Sequence, residues 1–342
     1  MSQNFLDKNP LIYSCIPSIT AMCDDEIFLP NDSDTIVMNG RKFADEYAER
    51  VLKPRCIGFK GKYGRLPKLA TILVGENPAS ESYLRIKSKF FSTLCLDSEV
   101  LRLPTDINER DLLNTINSLN NNSNVDGILV QLPLPGHIDA DKVIESISVE
   151  KDVEGLSPGN VHSWAKAIPN LVPATALGVL ALLKYYQISL ESKHAVIVGR
   201  SMIVGKPVLH LLLKENCTVT ICHSRTKQLG DYTSQADILI TAVGKAHIIT
   251  ADMVKTGAVI VDVGVNFLDG KLVGDVDFKT VKSKTSYISP VPGGSGPATV
   301  SMLAGNLLLA AELQKIGDNK EQKECLRNYY TNYAIVPDTN YC

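Results

Sequence analysis

Five continuous apolar runs of strand length constrain this chain more than any other feature: "KLATILV", "DGILV", "HAVIV", "DILIT" and "AVIVD". A strand that alternates apolar and polar residues can leave one face in water, but these runs have no polar face to expose and must be covered on both sides. Sheets covered on both sides are parallel sheets with crossover helices, and helical patterns do separate the runs, among them "FADEYAERVL", "NERDLLNTINSLN" and "GKPVLHLLLKE". Two less apolar runs, "SEVLRLP" and "CTVTICHS", complete the alternation. The fold predicted is α/β, with doubly wound parallel sheets.

The strands fall into two sets on either side of the helical stretch "ALGVLALLKYYQI", so the 342 residues divide into two domains of ordinary size. Residues 35–177 are predicted to form an N-terminal α/β catalytic domain, completed by the long apolar helix 297–316, which has no strand after it. Residues 178–296 follow the rhythm of a Rossmann-type dinucleotide-binding domain, and an active-site cleft is expected between the two. The remainder is an N-terminal extension, 1–34, and a polar tail, 317–342. The extension carries Asp24, Asp25, Glu26 and Asp32 and almost no basic residues, unlike an Arg-rich transit peptide, so a cytosolic location is expected over a mitochondrial one.

No apolar run is long enough to span a membrane, and a net charge of −2 with scattered basic residues gives no general affinity for nucleic acid or membrane. Small molecules are the expected partners. The eight cysteines show no repeated spacing, which fits a reducing compartment and no metal site.

The second domain opens on a long turn, Gly199-Arg200-Ser201-Met202-Ile203-Val204-Gly205-Lys206-Pro207, in place of the usual Gly-x-Gly-x-x-Gly. Pro207 suits a first helical turn, where backbone N–H groups are left to meet an anion such as a pyrophosphate. A plain strand-to-helix turn needing glycines for packing is the competing reading. An NAD site places a carboxylate after the next strand, but here "CTVTIC" runs into His223-Ser224-Arg225-Thr226. Arg225 and Arg200 offer charge and Ser224 a hydroxyl, which favours the 2′-phosphate of NADP over NAD.

In the first domain, "NPASESYLRIKSKFF" is a helix whose Tyr83 and Lys87 stand one turn apart on the same face. Such a pair is usually two solvated neighbours. Gln131, at the end of the strand in "DGILVQLPLPGHI", occupies the edge where open α/β sheets bind ligands, and its carbonyl could hold a lysine while its amide donates to a substrate. Asp152 and Glu154 of "EKDVEGLSPGNV" point the same way if that segment is extended; a charged loop is the plain alternative.

Between Thr35 and Lys315 the ordered set "VGENPASESYLRIKSK", "DGILVQLPLPGHID", "KDVEG", "VIVGRSMIVGKPV", "TVTICHSRT", "VDVGVN", "GDVDF" and "PVPGGSGPATVSML" resembles the methylenetetrahydrofolate dehydrogenase/methenyltetrahydrofolate cyclohydrolases. The resemblance implies that Tyr83 stacks on the folate, Lys87 is the catalytic lysine with Gln131 as its partner, and Glu154 holds the pterin. Leu132, Asp152, Pro292, Gly293, Gly294 and Pro297 fall with the substrate-binding positions. Gly199, Arg200, Ser201, Val204, Gly205, His223, Ser224, Arg225, Ala242, Val243, Gly244 and Val265 fall with the cofactor-binding ones. It further implies tetrahydrofolate one-carbon derivatives as substrates, NADP as cofactor and a homodimer. The chain departs from the family's usual text at Val149, Glu154, Pro173-Ala174-Thr175-Ala176 and Ser295, changes expected to tune binding.

The implied chemistry has two steps with different needs. Hydride transfer from the one-carbon bridge to a nicotinamide needs no base and is promoted by positioning. Hydrolysis of the methenyl cation needs a group to manage the proton of water, the role expected of Lys87, either as a base or as a retained charge. A dehydrogenase-only, NAD-dependent member and a catalytically silent nucleotide-binding protein are the alternatives.

Overall fold

The computed structural model describes residues 35–76, 78–168, 170–317 and 319–329. The extension 1–34, the helix-entry residue Asn77 and the end of the tail lie outside the described residues. In chain order the strands are β1 (Ile36–Val37), β2 (Lys68–Val74), β3 (Asp97–Leu103), β4 (Gly127–Val130), β5 (His194–Val198), β6 (Thr218–Cys222), β7 (Ile238–Thr241), β8 (Ala258–Asp262), β9 (Asn266–Leu268), β10 (Lys271–Val273) and β11 (Thr285–Ile288). The described residues form two compact units, Tyr47–Val172 with 303–329, and 35–46 with Pro173–Met302.

The first unit holds a parallel sheet in the order β3-β2-β4. Its central strand is buried from Leu69 to Val74, as its unbroken apolar run requires. Ile72, Val74, Ile128 and Val130 meet Leu112, Ile116 and Leu119 of the helix Glu109–Asn121. Asn108 caps that helix by accepting from the Asp111 amide at 2.9 Å. At its other end the buried ammonium of Lys151 donates to the carbonyls of Leu119, Asn120 and Asn122 at 2.8–3.0 Å, which satisfies groups that a helix C-terminus leaves open. Arg65 and the buried Asp126 form a bidentate pair at 2.6 and 2.7 Å ahead of β4.

The second unit holds a six-stranded parallel sheet in the order β1-β11-β8-β7-β5-β6. The chain proceeds from β5 outward to β6 and then returns to β7 on the other side of β5, so the order reverses between β5 and β7. Such a reversal opens a crevice at the carboxyl ends of the strands. Val196, Val198, Leu239 and Ile260 lie in its core. The antiparallel pair β9–β10 stands outside this sheet, with Phe267 and Leu268 exposed.

Three features differ from the expectation. Residues 35–46 belong to the second unit: β1 pairs with β11 at Ile36–Tyr287 and Val37–Ile288, the Asn39 amide donates to the Tyr186 hydroxyl at 2.6 Å, and Phe43 packs edge-on against Tyr185. The long apolar helix is Ser295–Lys315, and it contributes residues to both units. Within the expected polar tail, Lys320–Tyr329 is helical.

Candidate functional site

Leu84, Lys87 and Phe91 share the buried face of the helix Pro78–Thr93, at the three- and four-residue spacing of a core stripe. A lysine therefore occupies an apolar position and is only 5% exposed. Its ammonium lies 4.3 Å from the centroid of the Tyr83 ring, and it donates to the Gln131 side-chain oxygen at 3.2 Å. Burial pulls the Lys87 pKa down, and the charge of Glu154 acts in the opposite sense. Burial likewise raises Glu154, an effect that the positive charge of Lys87 offsets. The Tyr83 hydroxyl is pushed up by burial and then by Glu154, so the ring remains neutral.

Gln131 extends the ladder by one residue beyond β4, its amide donating to the Ile72 carbonyl at 2.9 Å. Its side-chain amide nitrogen donates to the Leu132 carbonyl at 3.0 Å, which orients the side-chain oxygen toward Lys87. An amide nitrogen carries two N–H groups, so the bond to Leu132 leaves one for the substrate oxygen expected of Gln131.

The segment Lys151–Gly155 is a turn rather than an extended strand, and its two acids part company. Asp152 is 1% exposed, and one of its oxygens accepts from the Ser157 amide at 2.6 Å and from Asn160 at 2.9 Å. Those bonds fix the entry of the helix Pro158–Ala165. Glu154 is half-buried and is the acid coupled to Lys87. Asn306 holds the turn from below, donating to the carbonyls of Val153 and Val172 at 2.8 Å each. Gly155 has φ +65°, and a Cβ there would stand 2.7 Å from the Leu171 carbonyl oxygen.

In the second unit, β5 delivers the chain into Gly199, with φ +133°. A Cβ at Gly199 would collide with the Ala242 carbonyl at the end of β7, and one at Gly205 with the Gly199 carbonyl. The turn is thus folded tightly on itself and against the neighbouring strand end. Ser201 accepts from the amide of Val204 at 3.1 Å through its side chain and from the amide of Lys206 at 3.0 Å through its carbonyl. No side chain caps the helix Gly205–Lys214, and Arg200, Ser201 and Met202 are exposed before it. After β6, the His223 amide donates to Thr226 at 2.9 Å and the Arg225 amide to the His223 ring at 3.1 Å, so the Ser224 and Arg225 side chains are turned outward and exposed.

Val265 is exposed, while Pro292, Gly293 and Gly294 form the turn that enters the helix Ser295–Lys315 and Pro297 lies in its first turn. Gly294 donates to the Pro290 carbonyl at 2.8 Å and Gly40 to that of Gly293 at 2.9 Å. Ser295 ties this turn to the end of β8 by donating to the Asp262 carbonyl at 2.9 Å. Two acids absent from the sequence reading lie beneath these loops, Asp262 and Asp275, 2% and 0% exposed. A carboxylate ending the apolar run "AVIVD" was the signal, because a buried acid must be surrounded by donors.

Family models match both units. The tetrahydrofolate dehydrogenase/cyclohydrolase catalytic domain matches residues 38–154, and the NAD(P)-binding domain of the same family matches residues 173–315. The chain is 49% identical over 283 residues to the bifunctional protein FolD of Wolbachia sp. subsp. Drosophila simulans, covering 82% of this chain and 97% of that one. Among solved structures it is similar to the bifunctional FolD methylenetetrahydrofolate dehydrogenase/cyclohydrolase of Campylobacter jejuni, with a TM-score of 0.80, 45% identity and coverage of 82% and 99% of the two chains. The Trypanosoma brucei methylenetetrahydrofolate dehydrogenase-cyclohydrolase, solved with NADP and an inhibitor, gives a TM-score of 0.79, 33% identity and coverage of 84% and 100%.

Proposed function

This chain belongs to the tetrahydrofolate dehydrogenase/cyclohydrolase family, and from that membership we propose that it oxidises 5,10-methylenetetrahydrofolate with NADP and hydrolyses the methenyl product to 10-formyltetrahydrofolate. The observation that carries the reading is the buried Lys87 ammonium between the Gln131 oxygen and the Tyr83 ring. A lysine in an apolar stripe of a helix serves no packing purpose that leucine would not serve better.

The second unit fits a dinucleotide, because the glycines let the Gly199–Gly205 turn fold closely at the carboxyl end of β5, ahead of a helix that no side chain caps, an arrangement that suits a pyrophosphate. Gly199, Ser201 and Gly205 would hold that group, with Ser224 and Arg225 taking the 2′-phosphate. NADP supplies the hydride acceptor. Tyr83 presents a flat face to the folate ring system, and Glu154 binds the pterin.

In hydrolysis, water attacks the methenyl carbon and its proton passes to the nitrogen of Lys87. Burial shifts Lys87 toward the neutral amine that this transfer uses, with Glu154 opposing the shift, and Gln131 holds the nitrogen in place. The remaining hydroxyl proton then moves to N5 as the bond from that carbon to N5 breaks and the C=O forms, leaving the formyl group on N10, and Lys87 releases the first proton to solvent. The exposed Phe267 and Leu268 support a homodimer as part of this proposal.

A spectrophotometric assay with methylenetetrahydrofolate tests the function. Reduced cofactor and methenyl product form with NADP faster than with NAD, and the methenyl absorbance then decays faster than in buffer. Cofactor binding with no turnover of the folate overturns the proposal.

A further inference from the structure

At the end of β7 three successive backbone amides converge on one carboxylate. Val243 and Gly244 donate to Oδ2 of Asp275 at 2.7 and 3.2 Å, and Lys245 donates to Oδ1 at 2.8 Å. Asn266 adds a fourth donor to Oδ1 at 3.0 Å. Gly244 has φ +64°, and successive N–H groups around a left-handed residue make the concavity that binds anions in phosphate sites. Here the chain supplies the anion itself.

The carboxylate is tightly enclosed. A Cβ on Gly264 would collide with the Asp275 side chain, and one on Gly274 with that of Asp262. Asp262 accepts from the Asp275 and Val276 amides at 3.1 and 2.9 Å, from Gly264 at 2.9 Å and from Thr241 at 3.0 Å, so the backbone carrying Asp275 is anchored in turn. The turn that Asp275 holds begins at Ala242, the residue against which Gly199 is packed, on the strand pair where the sheet order reverses.

We propose that Asp275 is a positioning residue for the cofactor, an internal anion that fills the nest at Val243–Lys245. It fixes this turn beside Gly199 and leaves the Gly199–Gly205 turn as the place where the pyrophosphate binds. The inference rests on the NADP reading of the second unit and concerns binding alone, so it stands apart from whether the folate is turned over.

Both Asp275 oxygens face two donors each, so Asp275→Asn sets an NH2 group against two N–H groups in either orientation of the amide. Calorimetric titration of the full-length protein with NADP reads the effect. The Kd rises about tenfold to a hundredfold in Asp275→Asn, the range expected for loss of charge-assisted bonds, while hydrolysis of preformed methenyltetrahydrofolate stays within about twofold of wild type. In Asp275→Ala the emptied nest accepts formate, and added formate tightens NADP binding where chloride at the same ionic strength does not.

An unchanged Kd in Asp275→Asn, a parallel loss of hydrolysis, or equal responses to formate and chloride overturns the inference. If neither variant folds, Asn266→Ala removes one of the four donors and leaves the carboxylate in place. Its Kd for NADP must then rise severalfold, and no change overturns the inference. Failure of wild type to bind NADP refutes the cofactor reading and this inference together, whereas binding without folate turnover refutes only the proposed reaction.

Discussion

The side-chain oxygen of Gln131 accepts a hydrogen bond from the Lys87 nitrogen at 3.2 Å. The two residues come from a helix and a strand end that are 44 positions apart in the chain, and the bond fixes a buried amine that would otherwise have rotamers to choose from. Holding a proton acceptor in one position matters for hydrolysis and little for hydride transfer, so the two activities should respond differently to changes here.

Replacing Lys87 with Met keeps the apolar stripe of its helix and removes the amine. Hydrolysis of methenyltetrahydrofolate is expected to fall by about 10²–10⁴-fold, the usual worth of a positioned acid or base, while dehydrogenation falls far less. Separate assays on preformed methenyl substrate and on methylenetetrahydrofolate check this. Equal losses remove the assignment of Lys87 to water.

Burial lowers the Lys87 pKa and Glu154 holds it back. Glu154→Gln leaves burial unopposed, so the limb of the hydrolysis pH profile that reports deprotonation of Lys87 moves to lower pH. The measurement is kcat/KM against pH for both proteins. A limb that stays in place or moves upward shows that Glu154 does not control the amine.

Asp152 and Glu154 should separate by experiment as they do in structure. Asp152→Ala leaves the buried Ser157 amide without its acceptor and takes one of three from Asn160, and is expected to cost roughly 1–3 kcal/mol in urea unfolding. Glu154→Ala removes a carboxyl whose pKa burial has raised, so it should not lower stability, and its effect should appear in the KM for folate.

Arg225 is exposed beyond β6, in the stretch His223–Gln228, which contains no acidic residue to meet ribose hydroxyls. Arg225→Ala is expected to reduce the preference for NADP over NAD by about tenfold to a hundredfold, the value of a charge-assisted bond. Steady-state KM values for the two cofactors give the ratio, and an unchanged ratio places the 2′-phosphate elsewhere.

Burial pushes the Asp262 carboxyl up to about 6, with the neighbouring Asp275 adding to the shift and the amides of Val276, Gly264 and Asp275 opposing it. The folded state therefore binds this proton more tightly than the unfolded chain, whose Asp titrates near 3.9. The resulting stabilisation is fully present below about pH 4 and is lost as pH rises through about 6, a difference of roughly 3 kcal/mol. Unfolding free energies across that window should slope downward with pH in wild type and flatten in Asp262→Asn. An identical slope in both would contradict the assignment.

The parallel strands were readable because both of their faces are buried, so the runs around Ile72, Val196 and Ile260 carry no internal charge and, apart from Thr71, no polar interruption. β11, with Thr285, Ser286 and Tyr287, lacks that signature, and β1 has two residues in register, too few for any periodicity to appear. The helix Lys320–Tyr329 is ten residues long with five charges and few apolar residues, so its sequence resembles a solvated tail. At the site, the Tyr83–Lys87 spacing was visible, but the stripe Leu84-Lys87-Phe91 was the stronger sign that the lysine is buried. The division of labour between Asp152 and Glu154 could not be read from spacing, because it depends on a turn that sends neighbouring side chains in different directions.

β1 has a consequence for handling the protein. Its two residues lie along β11, the last long strand on that side of the sheet, and Thr35 anchors them through bonds to the Lys282 and Thr285 carbonyls at 2.6 and 2.8 Å. An uncovered strand is a template for pairing with another chain, and a very short covering strand offers little template of its own. Ile36 and Val37 therefore act as a guard rail, and a truncation that begins beyond them would leave β11 open to self-association.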